Sequence, residues 1–267
     1  MLLRLRLAVG VLLLLSGLRG QDAQVYEEYR RWVSMQPVGV QRGPDVEARY
    51  REHLRGTGLD EKTIEERLQF LRAQGRRMEV ERWNRILTSE KPTFNTAPNV
   101  FLVEMAKGRK PGKALDVGMG QGRNAIWLAQ QGWEATGFDP AERAVQAAEA
   151  SAKRLGVTLH TQVVGVEAFD FGEQQWDLIV LSYVGARGFT EKVVRSLRPG
   201  GVLVLEAFHR DATKGSSIGG GVVFDSGELP ALFRELRVVR YQEPLSVADF
   251  GRQRVRVVQL CAEKPAE

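Results

Sequence analysis

A glycine-rich turn between a short apolar run and a helical pattern is the feature that most limits how this chain can fold. The segment 114–124 reads Ala-Leu-Asp-Val-Gly-Met-Gly-Gln-Gly-Arg-Asn. Its apolar start is typical of a buried parallel strand, and residues 124–131 have a helical pattern. A strand, a glycine turn and a helix in this order open a nucleotide-binding βαβ unit. Glycines let the backbone approach a ligand, and the helix start offers N–H groups to an anion.

Two acidic residues make this motif more specific. Residues 135–138 predict a second strand, which ends in Asp139-Pro140. A carboxylate at the tip of that strand is placed to accept hydrogen bonds from both hydroxyls of an adenosine ribose. The dinucleotide fingerprint requires its third glycine where this chain has Arg123. Asp116 would repel a pyrophosphate, whereas it suits a ligand that carries an ammonium group nearby.

The N-terminal segment, residues 1–20, differs in composition from the rest of the chain. It contains three arginines, no acidic residue and an uncharged run of 12 residues at 7–18. Because about 20 apolar residues are needed to span a bilayer, this run is short for a membrane helix. The pattern predicts a secretory signal peptide, cleaved after Gly20, and therefore an exported (periplasmic or secreted) protein. A membrane anchor, or a cytoplasmic protein with a non-functional leader, is the alternative.

Residues 21–90 predict a charged helical extension, with 13 basic and 13 acidic residues. Between residues 59 and 87, apolar residues recur at spacings of mostly three or four, with Gly75 as a weak point. This periodicity predicts an amphipathic helix or a broken pair of helices. We interpret the extension as an appendage that packs on the catalytic domain, and a lid or a dimerisation arm is the alternative.

Residues 91–267 predict the third part, an α/β domain. It opens with a loop between two prolines, in which Phe94, Asn95 and Asn99 are candidate pocket residues. Helices are then predicted at 100–107, 142–155, 189–197 and 229–236. Further strands are predicted at 157–166, 176–183, 202–208, 237–241 and 255–262. This spacing requires parallel crossovers and predicts a doubly wound, Rossmann-like sheet of seven strands, provided that the last two form a hairpin.

Charge and cysteine content exclude several functional classes. The net charge is +5, but the N-terminal segment alone contributes +3. The basicity is therefore no argument for nucleic-acid binding, and we expect no nucleic-acid partner. Cys261 is the only cysteine, which excludes an internal disulfide and a cysteine-based metal cluster. His53 and His160 have no acidic or cysteine partners at metal spacing, so no metal site is predicted.

The glycine motif is similar to motif I of the class I S-adenosylmethionine-dependent methyltransferases. The similarity rests on Asp-x-Gly-x-Gly-x-Gly with an acid after the second strand, and it extends over residues 94–265. Within that superfamily, the chain most resembles the tellurite-resistance type and related small-molecule methyltransferases. The segments that carry this second resemblance are 115–124, 160–164, 224–229 and 262–265.

The resemblance implies S-adenosyl-L-methionine as the cofactor and a set of residues that hold it. The methionine part is implied to lie on Asp116 and on the turn with Gly118, Met119, Gly120, Gly122 and Asn124. The ribose is implied to lie at Asp139 and Pro140, and the adenine in the loop 165–168, with Val166 and Glu167. Ser182, together with Tyr183, is implied to close the methionine side.

The adenine loop departs from the family pattern at Gly165. The related enzymes usually carry an aspartate there, which accepts a hydrogen bond from the adenine amino group. Glu167 lies two residues further on, and in an extended chain its side chain shares a face with position 165. Either Glu167 substitutes for the missing aspartate, or the adenine is held by packing and backbone alone.

The reaction itself places few demands on the protein. A sulfonium methyl group is already activated, so the enzyme mainly aligns the acceptor and excludes water. A general base is needed only when the acceptor must lose a proton. Tyr183, Arg187, Glu206 and His209 lie at or after the carboxyl ends of the fourth and fifth strands, where open α/β sheets bind substrates.

Among these candidate catalytic residues, His209 is the best base by residue type and position. An ordinary loop histidine is its alternative. Arg187 would bind an anionic substrate or be a solvated surface residue. Arg252, Arg254 and Arg256 alternate on one strand and predict a solvated sheet edge or an anion-binding strip.

The predicted function is methyl transfer to a small-molecule acceptor. Ser182-Tyr183-Val184-Gly185 follows the fourth strand, where methyltransferases that act on exocyclic amino groups of bases carry Asn/Asp-Pro-Pro-Tyr/Phe. Two alternatives remain open: a catalytically silent exported binding protein on the same fold, and an NAD-dependent oxidoreductase, against which Arg123 counts. The sequence does not predict the oligomeric state.

Overall fold

The computed structural model describes Gly20 and residues 22–41, 45–213, 218 and 220–266. The chain divides into two compact units after Val80. The boundary falls inside one long helix, α4 (Glu61–Leu87). The domain limits expected from the sequence, at residues 20 and 90, stay predictions. Among the described residues, no helix combines the length and the apolar character needed to cross a membrane.

The first unit is helical. It contains α1 (22–35), α2 (Val38–Gln41), α3 (Val46–Gly56) and the first part of α4. Apolar residues spaced three and four apart bury one face of each long helix. They meet in a cluster formed by Trp32, Tyr50, Leu54, Ile64 and Leu68. Helix α4 runs without a break through Gly75, so the single amphipathic helix is the observed form.

The second unit is built on one mixed sheet. Its strands are β1 (Lys113–Val117), β2 (Glu134–Asp139), β3 (His160–Val163), β4 (Trp176–Ser182), β5 (Leu197–His209), β6 (Val223–Phe224), β7 (Arg237–Gln242), β8 (Leu245–Val247) and β9 (Arg254–Glu263). Seven of them follow the order β3-β2-β1-β4-β5-β9-β7, while β6 pairs with β5 and β8 with β9. β1 to β5 run parallel, and β9 is antiparallel to β5 and to β7.

Helices cover both faces of this sheet. They are α5 (Val100–Ala106), α6 (Arg123–Gln130), α7 (Glu142–Leu155), α8 (Thr190–Ser196) and α9 (Glu228–Leu232). α5 and α6 pack on one face, against a core that includes Val180 and Val204. α8 and α9 pack on the other face, against a core that includes Ile179 and Leu205. Neighbouring residues of β4 and β5 point to opposite faces, which explains these continuous apolar strands.

The fold agrees with the prediction of a doubly wound α/β domain and adds detail to it. The seven expected strands form the main path of the sheet, and the short strands β6 and β8 were not predicted. Two- and three-residue strands have too few positions to show a period, so sequence patterns do not reveal them. β3 is also shorter than expected, because the chain leaves the sheet at Val164.

Candidate active site

The turn after β1 is shaped by three glycines in the left-handed region. The φ angles of Gly118, Gly120 and Gly122 are 64°, 56° and 77°. A Cβ atom at Gly118 would lie 2.8 Å from Cγ2 of Val184. Residues with side chains rarely adopt such angles, and at Gly118 there is no room for one. No side chain of these three positions separates the backbone of the turn from a ligand that lies on it.

A buried carboxylate lies at the carboxyl end of each of the two neighbouring strands, β1 and β2. Asp116 of β1 accepts a hydrogen bond from the amide of Ala125 at 3.1 Å, in the first turn of α6. Burial raises its pKa to about 7, although Arg123 acts in the opposite direction. Asp139 of β2 accepts hydrogen bonds from the amides of Gly120 at 3.0 Å and Ala141 at 2.8 Å. Burial also raises the pKa of Asp139.

The loop after β3 lies beside Asp139. The amide of Val164 donates to the carbonyl of Asp139 at 3.2 Å, and residues 165–168 form a turn closed on the carbonyl of Gly165. The carboxylate of Glu167 lies in the space next to Gly165: its Oε2 is 2.9 Å from the place that a Cβ of Gly165 would take. Val166 is half-buried and packs against the core. The role of Glu167 towards adenine stays a prediction.

A group of polar side chains lies at the carboxyl ends of β4 and β5 and is called here the edge cluster. Its members are Asn99, Arg123, Tyr183, Glu206, Asp249 and Gln259. Arg123 forms a buried ion pair with Asp249 at 2.7 Å and donates to Oγ of Ser182 at 2.9 Å. Asn99 donates from Nδ2 to both carboxylates, Glu206 at 2.8 Å and Asp249 at 2.7 Å.

Tyr183 and Glu206 form the centre of the edge cluster. The hydroxyl of Tyr183 donates to Oε1 of Glu206 at 2.8 Å and accepts from the amide of Asp249 at 3.2 Å. Gln259 donates to Oε2 of Glu206. Burial raises the pKa of Glu206, and the nearby charge of Asp249 adds to this effect. Burial raises the pKa of Tyr183 as well, with Glu206 as the second cause.

Two loops close over the edge cluster. The first is the proline-bounded loop 93–99, and the second is the turn 248–253 between β8 and β9. Asn95 is tied to Asp249 through its amide at 2.7 Å and its side chain at 2.9 Å. Phe94 stacks on Phe250, with ring centres 5.6 Å apart. The structure thus places Phe94, Asn95 and Asn99 beside the edge cluster, and their role as pocket residues stays a prediction.

The last turns of α4 lie over the glycine turn. Cδ2 of Leu87 is 3.2 Å from the place that a Cβ of Gly120 would take. Asn84 accepts a hydrogen bond from the amide of Arg143 at 2.9 Å, at the start of α7. Trp83 meets the ring of Phe250 edge-on, with centres 5.9 Å apart. Residues 83–87 thus form one wall of the region around Gly120 and Asp139.

His209 and Arg187 lie away from the edge cluster. Strand residues alternate between faces, so His209 points to the opposite face of β5 from Glu206. Its Nε2 is 3.0 Å from Oγ of Ser226, and its Nδ1 accepts from the amide of Asp211 at 3.1 Å. Arg187 pairs with Glu228 and lies over the ring of Phe224 at 4.0 Å. The structure therefore brings neither residue together with Asp116 and Asp139.

The other predicted residues are placed as follows. The side chain of Met119 packs against Gly137 in a small core with Val145 and Ala148, so only its backbone faces the turn. Asn124 is buried and accepts from the amide of Asn99 at 2.9 Å. Pro140 is exposed next to Asp139. Among the described residues, no group of three metal-ligand side chains is present.

The arginines near β9 do not form a uniform strip. Arg252 lies in the exposed turn before β9, and Arg254 is exposed on the strand. Arg256 is half-buried, pairs with Asp211 at 3.3 Å and donates to the carbonyl of Glu243 at 2.8 Å. Arg254 and Arg256 face Val247 and Leu245 across the ladder of β8 and β9.

Sequence reasoning missed part of the edge cluster. Arg123 was noted only as a missing glycine, and Asp249, Phe250 and Gln259 were not considered. The Asp249-Phe250-Gly251 turn is 150 positions from Asn99, which its carboxylate contacts. A local motif cannot reveal such a contact. The only available signal was a carboxylate in a turn that leads into a predicted strand.

The residues around the glycine turn fit S-adenosylmethionine. An ionised carboxylate offers about four lone-pair sites, and the two backbone amides occupy two of those on Asp139. Two sites are left for the ribose hydroxyls. Asp116 suits an ammonium group, and the left-handed glycines leave the turn without side chains. When bound, the cofactor would supply an activated methyl group on its sulfonium.

Comparisons with known proteins indicate a methyltransferase domain. The protein-family model for the methyltransferase domain matches residues 114–201. The ribosomal RNA small subunit methyltransferase C of Alcanivorax borkumensis is 29% identical over 180 residues, 58% of this chain and 55% of that protein. The probable methyltransferase TehB of Haemophilus influenzae is 29% identical over 89 residues, 33% of this chain and 31% of TehB. The chain thus spans about half or less of these relatives.

Solved structures share the fold of this chain over part of its length. The crystal structure of TehB from Haemophilus influenzae has a TM-score of 0.54 at 20% identity and covers 61% of each chain. The N-methyltransferase NodS of Bradyrhizobium japonicum, in complex with S-adenosyl-l-homocysteine, has a TM-score of 0.56 at 19% identity, with 70% of this chain and 98% of NodS covered. The chain therefore contains a class I S-adenosylmethionine-dependent methyltransferase domain and resembles TehB.

Proposed function

We propose that this protein transfers the methyl group of S-adenosylmethionine to a small-molecule acceptor. The observation that carries the proposal is the left-handed glycine turn between two buried carboxylates, Asp116 and Asp139. Asp116, the turn 118–122, Asn124 and Ser182 are assigned to the methionine part of the cofactor. Asp139 and Pro140 are assigned to the ribose, and the loop with Val166 and Glu167 to the adenine.

The acceptor side favours a small molecule. The loops 93–99 and 248–253 close over the edge cluster, and a polymer strand would have to displace both. One relative is by name a ribosomal RNA methyltransferase, so RNA is the competing acceptor. In this chain Tyr183 follows β4, and its hydroxyl is occupied by Glu206 and Asp249. Its ring is buried and packs against Phe208 and Phe250, so it is not available to stack on a flipped base.

Calorimetry separates the proposed function from the alternatives. S-adenosylhomocysteine is expected to bind the purified protein, and NAD is not. Binding of NAD alone would support an oxidoreductase, which the comparisons do not favour. Incubation with methyl-labelled S-adenosylmethionine and either total RNA or a low-molecular-mass extract then identifies the acceptor class. We expect label in the small molecules; label in RNA would overturn that assignment, and binding without any transfer would favour a silent binding protein.

We also propose that residues 1–20 are an export signal. Residues 1–19 lie outside the described part of the chain, so the proposal rests on their charge pattern and their uncharged run. A removed signal predicts that the protein recovered from its native cell begins near residue 21. Intact mass spectrometry measures this directly, and a full-length soluble product would contradict the proposal.

A further inference from the structure

Glu206 is a buried carboxylate without a cationic partner. Its side chain is about 7% exposed, and its three hydrogen-bond donors, Tyr183, Asn99 and Gln259, are all neutral. Among the described residues, no lysine, arginine or histidine lies within ion-pair distance of it. A buried charge is normally paired. A positively charged ligand would therefore be attracted to the Glu206 carboxylate, whereas an anion would be repelled.

The rest of the edge cluster does not cancel this charge. The other carboxylate, Asp249, is already paired with Arg123 at 2.7 Å. The cluster thus contains two carboxylates and one guanidinium, with an excess of one negative charge when both acids are ionised. Burial and the charge of Asp249 raise the pKa of Glu206. Both effects make this carboxylate a stronger base than an exposed glutamate.

Aromatic rings extend from Glu206 towards the glycine turn. The ring of Tyr183 lies 4.8 Å from that of Phe208 and 5.5 Å from that of Phe250. Phe250 in turn contacts Phe94 and Trp83. Aromatic faces attract cations, and the attraction is strongest where water is excluded. A cation that contacted a ring face beside Glu206 would therefore be attracted by both groups.

The position of Glu206 in the fold makes it part of the acceptor side. It pairs with Ser182, the last residue of β4, at the carboxyl edge of the sheet, where open α/β sheets bind their ligands. It is linked to β4 through Tyr183 and, through Asn99, to Asp249 and hence to Arg123 at the start of α6. That helix follows the glycine turn directly.

We propose that the acceptor at this site is a small amine, which binds as the ammonium ion beside Glu206 and gives its proton to that carboxylate. The proposal rests on the methyltransferase function. The proton passes from nitrogen to Glu206, and the nitrogen lone pair then forms the bond to the methyl carbon. The carbon–sulfur bond breaks with its electron pair left on sulfur. The products are the N-methylated acceptor as an ammonium ion and S-adenosylhomocysteine.

Three aromatic probes of similar size and different charge test the proposal: benzylamine, benzyl alcohol and benzoate. Their binding to the protein saturated with S-adenosylhomocysteine is measured by calorimetry at pH 7.5. We expect benzylamine to bind about tenfold more tightly than benzyl alcohol, and benzoate more weakly than both, since about 1.4 kcal/mol corresponds to tenfold. Saturation with S-adenosylhomocysteine is established first. If S-adenosylhomocysteine does not bind, the proposed methyltransferase function itself is contradicted, and not only the proposed acceptor class.

Two variants assign the effect to Glu206. Glu206→Gln keeps the shape of the side chain and is expected to lower benzylamine affinity about tenfold while leaving benzyl alcohol unchanged. Glu134→Gln removes one exposed carboxylate at the opposite edge of the sheet and is the control, with no expected effect. Preference for benzoate, no binding of benzylamine, or equal losses in both variants would overturn the proposal. If Glu206→Gln fails to fold, the ranking of the three probes on the wild-type protein decides.

Discussion

At the scale of single residues, buried carboxylates define the site. Asp116, Asp139 and Glu206 each lie at the carboxyl edge of the sheet and are almost fully buried. Burial disfavours the charged form of each carboxylate, and hydrogen bonds from backbone amides or neutral side chains offset only part of this cost. Such positions cost stability in the folded protein and are therefore expected where a ligand uses the charge.

The first prediction concerns Asp139. Asp139→Ala is expected to weaken S-adenosylhomocysteine binding by on the order of 1–3 kcal/mol, the scale of a hydrogen bond to a charged group. The prediction rests on the place of Asp139 at the end of β2, where its carboxylate has two lone-pair sites that no backbone amide occupies. Calorimetry measures the affinity, and Asp170→Ala, at an exposed carboxylate after β3, is the control. Unchanged affinity in a folded Asp139→Ala protein would remove Asp139 from the site.

The second prediction concerns the adenine loop. The carboxylate of Glu167 lies next to Gly165, so we expect Glu167→Ala to weaken S-adenosylhomocysteine binding clearly. Gly165→Asp should then add little or repel, because a second acid would meet the first. If packing alone holds the adenine, Glu167→Ala is silent and Gly165→Asp tightens binding by ~1 kcal/mol. No change in either variant would place the adenine outside this loop.

At the scale of elements, glycines set how closely helices approach the turn. Gly122 has a φ of 77°, and a Cβ there would lie 2.8 Å from Cβ of Ala148 in α7. Gly156, at the end of α7, has a φ of 70° and nothing within 4 Å of its Cβ position. A side chain at either position would strain the backbone. Only at Gly122 would it also collide with a neighbouring residue.

This pair gives the third prediction. Gly156→Ala is expected to destabilise the protein by about 1 kcal/mol, the cost of a left-handed backbone for a residue with a side chain. Gly122→Ala is expected to cost about 1–3 kcal/mol more, because α6 and α7 must move apart. Denaturant unfolding measures both values. Adding Ala148→Gly to Gly122→Ala should recover the part of the lost stability that comes from the steric clash. Equal losses of stability in Gly122→Ala and Gly156→Ala would show that the contact with Ala148 is unimportant.

At the scale of the whole molecule, the same carboxylates link stability to pH. A carboxyl group whose pKa is raised by folding binds more protons in the folded than in the unfolded protein between the two pKa values. Its contribution to stability is therefore complete below the unfolded pKa and is lost as the pH rises through the folded one. For Asp116 this interval runs from the ordinary value of 3.8 to about 7.

The fourth prediction follows from that interval. The Asp116→Asn protein lacks the titrating group, so it does not lose stability as this group ionises. The stability of the variant relative to the wild type should therefore rise between pH 4 and pH 8. The expected rise is on the order of 2–4 kcal/mol, since one pKa unit corresponds to about 1.4 kcal/mol. Denaturant unfolding at both pH values measures it, with exposed Asp170→Asn as the control. A difference that does not depend on pH would show that Asp116 titrates normally in the folded protein.

Local patterns in the sequence determined the elements and the cofactor side of the site. The strand before Gly118, the turn itself and the acid at the end of β2 lie within 26 residues, and each has a local physical reason. Apolar periodicity likewise predicted the order of the long strands and helices, because burial on one or both faces of an element dictates residue type. Helix α4 was predicted for the same reason.

Tertiary structure alone decided the acceptor side. Which face of β5 a residue occupies depends on where the chain enters the strand, and this separated Glu206 from His209, which sequence reasoning had favoured by residue type. The partners of Arg123 and Glu206 come from Asp249 and Gln259, more than 50 positions away. Such contacts form when loops close over a completed sheet. They depend on charge and shape complementarity between distant segments, which no local pattern records.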